Sequence, residues 1–223
     1  MSVTDEAIGK IKVMITTGEL LPGDRLPPEQ ELSERLGLSR SSLREAVKAL
    51  ELVRVLDVRR GDGTYVTSLE PQLLLEAVSF VIDLHNDASV LEVFAVRRIL
   101  EPAAAAIASS RLDDTHLATL HAIVDKVGDS DDVESLVEHD LAFHREIVAG
   151  AGNAYLTSLV DGLGSSTVRA RIWRGLTQEN AVERTIAEHR AIIVALESRD
   201  AELTRALMTA HIAGIELWLR SAL

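Results

Sequence analysis

PGDRLPPEQELSERLGLSRSSLREAVKALELVRVLDVRRGDGTYV, residues 22–66, reads as two short amphipathic helices about a tight turn at Gly37, then two extended segments joined by a glycine-containing loop. Pro22-Gly23-Asp24 is a turn, and Arg25-Leu26 begins a short extended piece ended by Pro27-Pro28. Pro28 sits at the start of a helix over 29–36, where its missing N–H costs nothing. The second helix opens on a polar, basic face of Ser39, Arg40, Ser41, Ser42 and Arg44, while Leu43, Ala46, Val47 and Leu50 keep helical periodicity on the other side. Two helices about a short turn, the second with donors at its start, form the geometry that reads DNA in the major groove. The loop Arg59-Arg60-Gly61-Asp62-Gly63-Thr64 would be a basic wing lying against the backbone or minor groove. Taken singly these residues describe a helical hairpin with a solvated basic face; the whole set, in order, points to DNA.

The stretch resembles the winged helix-turn-helix of GntR-type bacterial transcription regulators, through PGDRLP, the SR-x-x-L-R-E-A run at 39–46 and the G-x-G-T-x-V wing at 61–66. The resemblance implies that a homodimer binds double-stranded operator DNA, a short palindrome. By position it assigns Ser39, Arg40, Ser41, Ser42 and Arg44 to base or phosphate contacts, and Arg60, Gly61 and Gly63 to the wing. Gln30 stands where many members carry Arg, which changes one of those contacts. The usual glycine after the recognition helix is replaced near Arg54, so the helix stop that glycine makes easy has to be made another way.

The 223 residues suffice for one large or two small domains, and a 47% hydrophobic content with few Gly and Pro suits a helical protein with a sizeable core. Cysteine is absent, which excludes a disulfide framework, thiolate metal sites and a cysteine nucleophile. The start, MSVTDEAIGK, lacks the charged-then-apolar layout of a signal peptide, and no apolar run approaches a membrane span. The expectation is a soluble, cytoplasmic protein without a membrane partner. A net charge of −12 looks wrong for a DNA binder until it is divided. Residues 1–68 carry ten basic side chains against eleven acidic, and 69–223 carry thirteen against twenty-four. Within 35–60, seven basic side chains face three acidic ones, and local basic surface is what releases counterions from DNA. The acidic remainder repels DNA and helps orient the molecule. Two domains are therefore expected: a DNA-binding domain over 1–68 and a second over 69–223, with Ser68-Leu69-Glu70-Pro71 as the linker.

A first helix is expected over 4–18, with Ile8, Ile11, Val13 and Ile15 as its apolar positions and Gly18 as its stop. From Gln72 onward there is no strand alternation. Periodicity and breaks predict seven helices, over 72–84, 88–110, 113–127, 131–149, 154–173, 178–198 and 200–222, packed as an antiparallel bundle. The fold class is thus mainly α, a winged helix-turn-helix with a small β-wing followed by an all-α bundle.

Three of these helices carry polar residues where core belongs. Asp140 and His144 lie one turn apart on the stripe formed by Val133, Leu136, Val137, Leu141, Ile147 and Val148. His189 interrupts the face of Val182, Ile186, Ile193 and Leu196, and His211 interrupts that of Leu207, Gly214 and Trp218. Burying such groups costs several kcal/mol unless they are paired or bind a metal. One carboxylate and three imidazoles converging suit a single divalent transition metal per chain, zinc first, with nickel or manganese as alternatives. Each histidine alone is more simply a satisfied core or surface residue; the joint pattern carries the metal reading. His139 is the rival ligand but points about 100° away from Asp140. His85, His116 and His121 show no convergence.

Residues 72–223 are similar to the FCD effector domain of the FadR subfamily, through VRRILEPAAAAIA, DLAFHREIVAGAGN, EHRAII and HIAGI in order. The resemblance implies a metal held by Asp140, His144, His189 and His211, dimerisation, and a small organic acid whose carboxylate completes the metal's shell with an arginine nearby. Arg97 matches that arginine; the alternative is a salt bridge to Glu101, one turn on. Arg98 fits less well, and Arg169, Arg171 and Arg174 read as a solvated helix face in preference to a pocket wall. Asn153 reads as a helix cap. The function expected is a metabolite-responsive transcription regulator, a repressor, and not an enzyme. The alternatives are a regulator for which the ion is the signal, and a metal-dependent enzyme. No further acid or base stands out to serve the latter.

Overall fold

In the computed structural model, which describes residues 3–73, 87–128 and 133–222, the chain divides into two compact units, Met1–Ala77 and Val78–Leu223. The first begins with α1 (Val3–Thr16), which buries Ala7, Ile11 and Met14 at helical spacing. Helix α2 (Glu29–Leu36) starts after Pro28, as expected, and ends at Gly37, whose left-handed backbone (φ 65) returns its N–H to Glu34 O. Helix α3 (Arg40–Leu52) is capped by Ser39, whose side chain accepts from Ser42 N at 3.1 Å. Strands β1 (Leu56–Arg59) and β2 (Gly63–Val66) pair antiparallel, Leu56 opposite Val66 and Arg59 opposite Gly63. Arg25 bridges to Tyr65, which adds the short extended piece beside the hairpin. Ile11, Leu32, Leu43, Ala46, Leu56 and Val66 meet in one buried core.

The missing glycine after α3 is replaced by strain. Arg54 itself takes the left-handed conformation (φ 58), with Arg54 N–H donating to Glu51 O at 3.0 Å and Val55 N–H to Leu50 O at 2.9 Å. This is the bond pattern of a glycine-terminated helix built with a side chain that disfavours it.

The second unit is helical throughout its described residues. It contains α4 (Asp87–Ala108), α5 (Asp114–Gly128), α6 (Val133–Gly150), α7 (Ala154–Ser165), α8 (Val168–Thr177), α9 (Ala181–Glu197) and α10 (Ala201–Ala222). Phe94, Phe143, Ile147, Ile192, Ile193, Met208 and Ile212 form its centre, with α4 and α10 in the most extensive contact. Each such buried side chain contributes about 1.5–3 kcal/mol. The helix expected over 72–84 falls almost entirely outside the described residues.

One expectation is corrected. The single helix over 154–173 is two helices, α7 and α8, broken at Ser166-Thr167. Thr167 is buried with φ −101 and ψ 0, and its hydroxyl donates to Gly164 O at 2.8 Å, competing with the helical bond. The break lets α8 choose its own face, and that face is turned inward with Arg171 and Arg174 on it. Arg171 and Arg174 are therefore buried, not solvated; Arg169 is exposed as expected.

Candidate functional site

In the first unit the exposed start of α3 carries Ser39, Arg40, Ser41 and Arg44, with Ser42 half-buried. Ser39 Oγ lies 2.9 Å from Ser41 Oγ and 2.7 Å from Ser42 Oγ, so the three hydroxyls are one small network. Arg44 Nε donates to Glu29 Oε2 at 2.7 Å, which leaves the far edge of the guanidinium for another partner and raises its already high pKa through that hydrogen bond. Arg60 and Gly61 stand exposed at the hairpin tip, where Gly61 has φ 78; Gly63 is half-buried at the base of β2. A Cβ on Gly63 would run into the guanidinium of Arg25, whose Nη2 donates to Asp62 O, so Gly63 admits the side chain that braces the wing. Arg59 lies 4.2 Å over the Tyr65 ring.

The α3 face and the wing share a groove of about 530 Å³, with Arg25, Glu29, Arg44, Lys48 and Thr64 among its walls. Arg25 and Lys48 were not among the residues singled out in the sequence. The signal for Lys48 was its position one turn after Arg44 on the same face.

In the second unit α6, α9 and α10 bring Asp140, His144, His189 and His211 together, all buried, with one ligand atom from each within 4.8 Å of the others. Asp140 Oδ1 lies 3.2 Å from His189 Nε2, 3.6 Å from His144 Nε2 and 3.7 Å from His211 Nε2. Four donors at bonds of 2.0–2.1 Å around one ion stand about 3.4 Å apart, so these separations fit. His139 stays outside, half-buried, its Nδ1 2.6 Å from Ser135 O. His116 pairs with Asp113 and His121 with Glu197, and His85 lies outside the described residues.

The protons around the cluster are fixed from behind. His144 Nδ1 lies 2.5 Å from Glu101 Oε2, too close for two lone pairs, and His211 Nδ1 lies 2.7 Å from Glu188 Oε2. With a metal bound, a proton on Nδ1, facing Glu188 across a hydrogen bond in His211 and Glu101 across an ion-pair contact in His144, would leave each imidazole a lone pair aimed inward. Yet His144 Nε2 and His211 Nε2 face one another at 3.2 Å, and Asp140 Oδ1 and His189 Nε2 are buried without a hydrogen-bond partner among the described residues. Four acceptors facing one another call for a cation between them. The residues present fit a divalent metal.

The electrostatics agree. Burial would raise Asp140, but Arg171 and then His144 and His189 outweigh it and hold the carboxyl well below its usual range. Burial draws His189 down to about 4, leaving it neutral as a ligand must be. Burial also presses on His211, but the carboxylates of Asp140 and Glu188 beside it raise it. Glu101 is lowered despite burial because Arg97 and His144 flank it. Phe143 stacks on His189 at 3.9 Å and closes that side to water.

Arg97 takes the salt-bridge alternative. Its Nε lies 2.5 Å from Glu101 Oε1 and its Nη1 donates to Thr167 Oγ1 at 3.3 Å, with the side chain 1% exposed. Arg171 Nη1 donates to Asp140 Oδ2, the oxygen turned away from the imidazoles. Asn153 caps α7, accepting from Leu156 N at 3.2 Å.

Known proteins place both units. The profile of bacterial regulatory proteins of the gntR family matches residues 3–66, and the FCD domain matches 92–214, more than half of the chain. The chain belongs to the GntR family. This GntR-type regulator, with its C-terminal FCD domain, is 29% identical over 209 residues to the HTH-type transcriptional regulator LutR of Bacillus subtilis, covering 91% of this chain and 94% of that one. It is 26% identical over 208 residues to the galactonate operon transcriptional repressor of Escherichia coli, covering 91% and 90%. Among solved structures it is similar to Streptococcus agalactiae GntR, at a TM-score of 0.75 and 27% identity over 96% of this chain and 99% of that one. In this transcription regulator no helix of the described residues is long and apolar enough to cross a membrane.

Proposed function

We propose that this regulator senses a small organic acid at a metal held by Asp140, His144, His189 and His211, and that the first unit, reading operator DNA through α3 and the wing, responds to it. The observation that carries the sensing site is the set of four buried nitrogen and oxygen atoms facing one another, with a carboxylate behind two of the imidazoles. A divalent ion there supplies Lewis acidity and open positions for a carboxylate oxygen. Zinc suits nitrogen and oxygen donors at these separations. Glu101 and Glu188 orient the imidazoles, Arg171 holds Asp140, and Phe143 shields His189.

On the DNA side, Ser39, Arg40, Ser41, Ser42 and Arg44 would meet bases and phosphates, with Arg60, Gly61 and Gly63 in the wing. Groups on one helix end plus a hairpin suit a major groove with an adjacent backbone contact. A homodimer would present two such units to a palindrome. An apolar stripe on α4, with Val96, Ile99 and Ile107 exposed (Ile99 by 70%), supports a second copy as the partner, as do exposed Tyr155 and Leu159 on α7, which packs against α4. The relatives described above are named as regulators, one as a repressor of a galactonate operon, and repression relieved by an acid is the mode we assign. To regulate, the acid must bind the two states with different affinity.

The test is a thermal-shift screen of small carboxylates on zinc-loaded protein, repeated after chelation and on His189→Ala. An acid at a hundred times its Kd adds about 2.7 kcal/mol. The reading expects a hit that vanishes in both controls. A second reading, the ion alone as signal, is favoured by the smallness of the cavity beside the cluster, about 20 Å³. It expects operator affinity to track free zinc with no acid present.

A further inference from the structure

The cavity that opens beside the metal cluster is walled on one side by α8. Asp140, Arg171, Arg174 and Thr185 are its polar lining, and Leu136 and Ile215 are among its apolar lining. The two arginines sit three apart on α8 and so project from one face. Arg171 is 5% exposed; its Nη1 is taken by Asp140, but its Nε and Nη2 are buried without a partner. Such donors cost free energy unless something accepts from them. Arg174, 4% exposed, gives its Nε to a neutral amide, Gln178 Oε1 at 2.6 Å, and has no ion pair among the described residues.

The charge count around the site points the same way. Three carboxylates, Glu101, Asp140 and Glu188, stand with three guanidiniums, Arg97, Arg171 and Arg174. With neutral imidazoles these sum to zero, and a divalent ion on the cluster leaves two positive charges in a buried place. A monoanion would leave one of them uncompensated, which a low-dielectric interior disfavours.

We infer that the effector is a dianion, one oxyanion group directed at the metal cluster and a second held by Arg171 and Arg174, with Arg174 the residue that selects for it. This rests on the metal-centred reading above and names its ligand class: a short dicarboxylate, or an acid carrying a sulfonate. The space between the walls, about 20 Å³, holds no more than one water, so the ligand enters by moving the long Arg174 side chain. The group that gives way is the group that binds.

Matched pairs on the full-length, zinc-loaded protein test this by calorimetry: butyrate against succinate, and propionate against 3-sulfopropionate. The expected result is that the dianion of at least one pair binds about tenfold or more tighter than its monoanion, and which pair shows it identifies the second group. Arg174→Gln should abolish that preference, the dianion losing about tenfold more affinity than the monoanion, and Arg174→Lys should restore part of it. The wild-type pairs need no variant to fold. Equal affinity within both pairs, or an equal loss for mono- and dianion in Arg174→Gln, overturns the dianion. Monoanion binding that disappears on chelation would then leave the metal-centred reading standing. If no acid of either pair binds, both fall.

Discussion

The two units dispose of their charges in opposite ways. In the first, Arg44, Arg59 and Arg60 are exposed and their acidic partners Glu29 and Asp57 half-exposed, and among the described residues the core beneath them buries no charged side chain. In the second, Arg97, Glu101, Asp140, His144, Arg171, His189 and His211 are all buried. Exposed charges contribute little to stability and are free to meet a charged polymer. Buried ones hold each other, so disturbing one is felt by the unit that contains it. A surface for a large partner and an interior for a small one therefore require different architecture, and each should fail in its own way.

The largest contrast should come from Asp140→Ala. It strands Arg171 as a buried cation, and breaking such a pair costs about 3–5 kcal/mol. Amide hydrogen exchange on the intact chain should show the loss in the second unit, with protection of the first unchanged. An equal loss in both would break the comparison. Arg44→Ala is the converse: no change in exchange protection, but roughly ten- to a hundredfold weaker binding to a duplex selected from a random pool. A variant that binds the selected duplex normally would remove α3's arginine from the contact.

Acid sharpens the contrast further. His189 is depressed from its ordinary value of 6.5 to about 4, so its contribution is complete above 6.5 and is lost as pH falls towards about 4. Asp140 and Glu101, both depressed, lose theirs at still lower pH. His211 is raised and runs the other way: its contribution is complete below 6.5 and is lost as pH rises above that, so it leaves the fall between 6.5 and 4 unchanged. Exchange protection in the metal-free second unit should fall between pH 6.5 and 4, while the first unit, whose resolved shifts are on exposed arginines, stays level. A first unit that loosens first would reverse the assignment. The smallest effect belongs to Arg54→Gly, which relieves a left-handed side chain and should stabilise the first unit by about 0.5–1 kcal/mol in denaturant melts.

Much of this was legible in the chain. The α3 stripe, the wing and Pro28 appear where periodicity and turn chemistry put them, because each is decided within a few residues. The four inward acceptors were legible because a polar residue on an apolar stripe is conspicuous. Glu188 was not named, and Glu101 only as a salt-bridge partner for Arg97, since the histidines they face, His211 and His144, lie on other helices and such pairings leave no local pattern. The break at Thr167 escaped for a related reason. A buried hydroxyl that bonds back to Gly164 and accepts from Arg97 is a tertiary decision, and missing it placed Arg171 and Arg174 in water.

That break also isolates twelve residues between two independent punctuation points, Thr167 before α8 and the left-handed Asn180 after it. None of the four inward acceptors lies within this span. Its sequence can drift while the helices bearing the histidines keep their own, with two fixed points: Arg171, which holds Asp140, and Gly175, where any side chain would collide with Val133. A lineage of such regulators could change the molecule it answers to by rewriting one short cassette, keeping its ion and its operator.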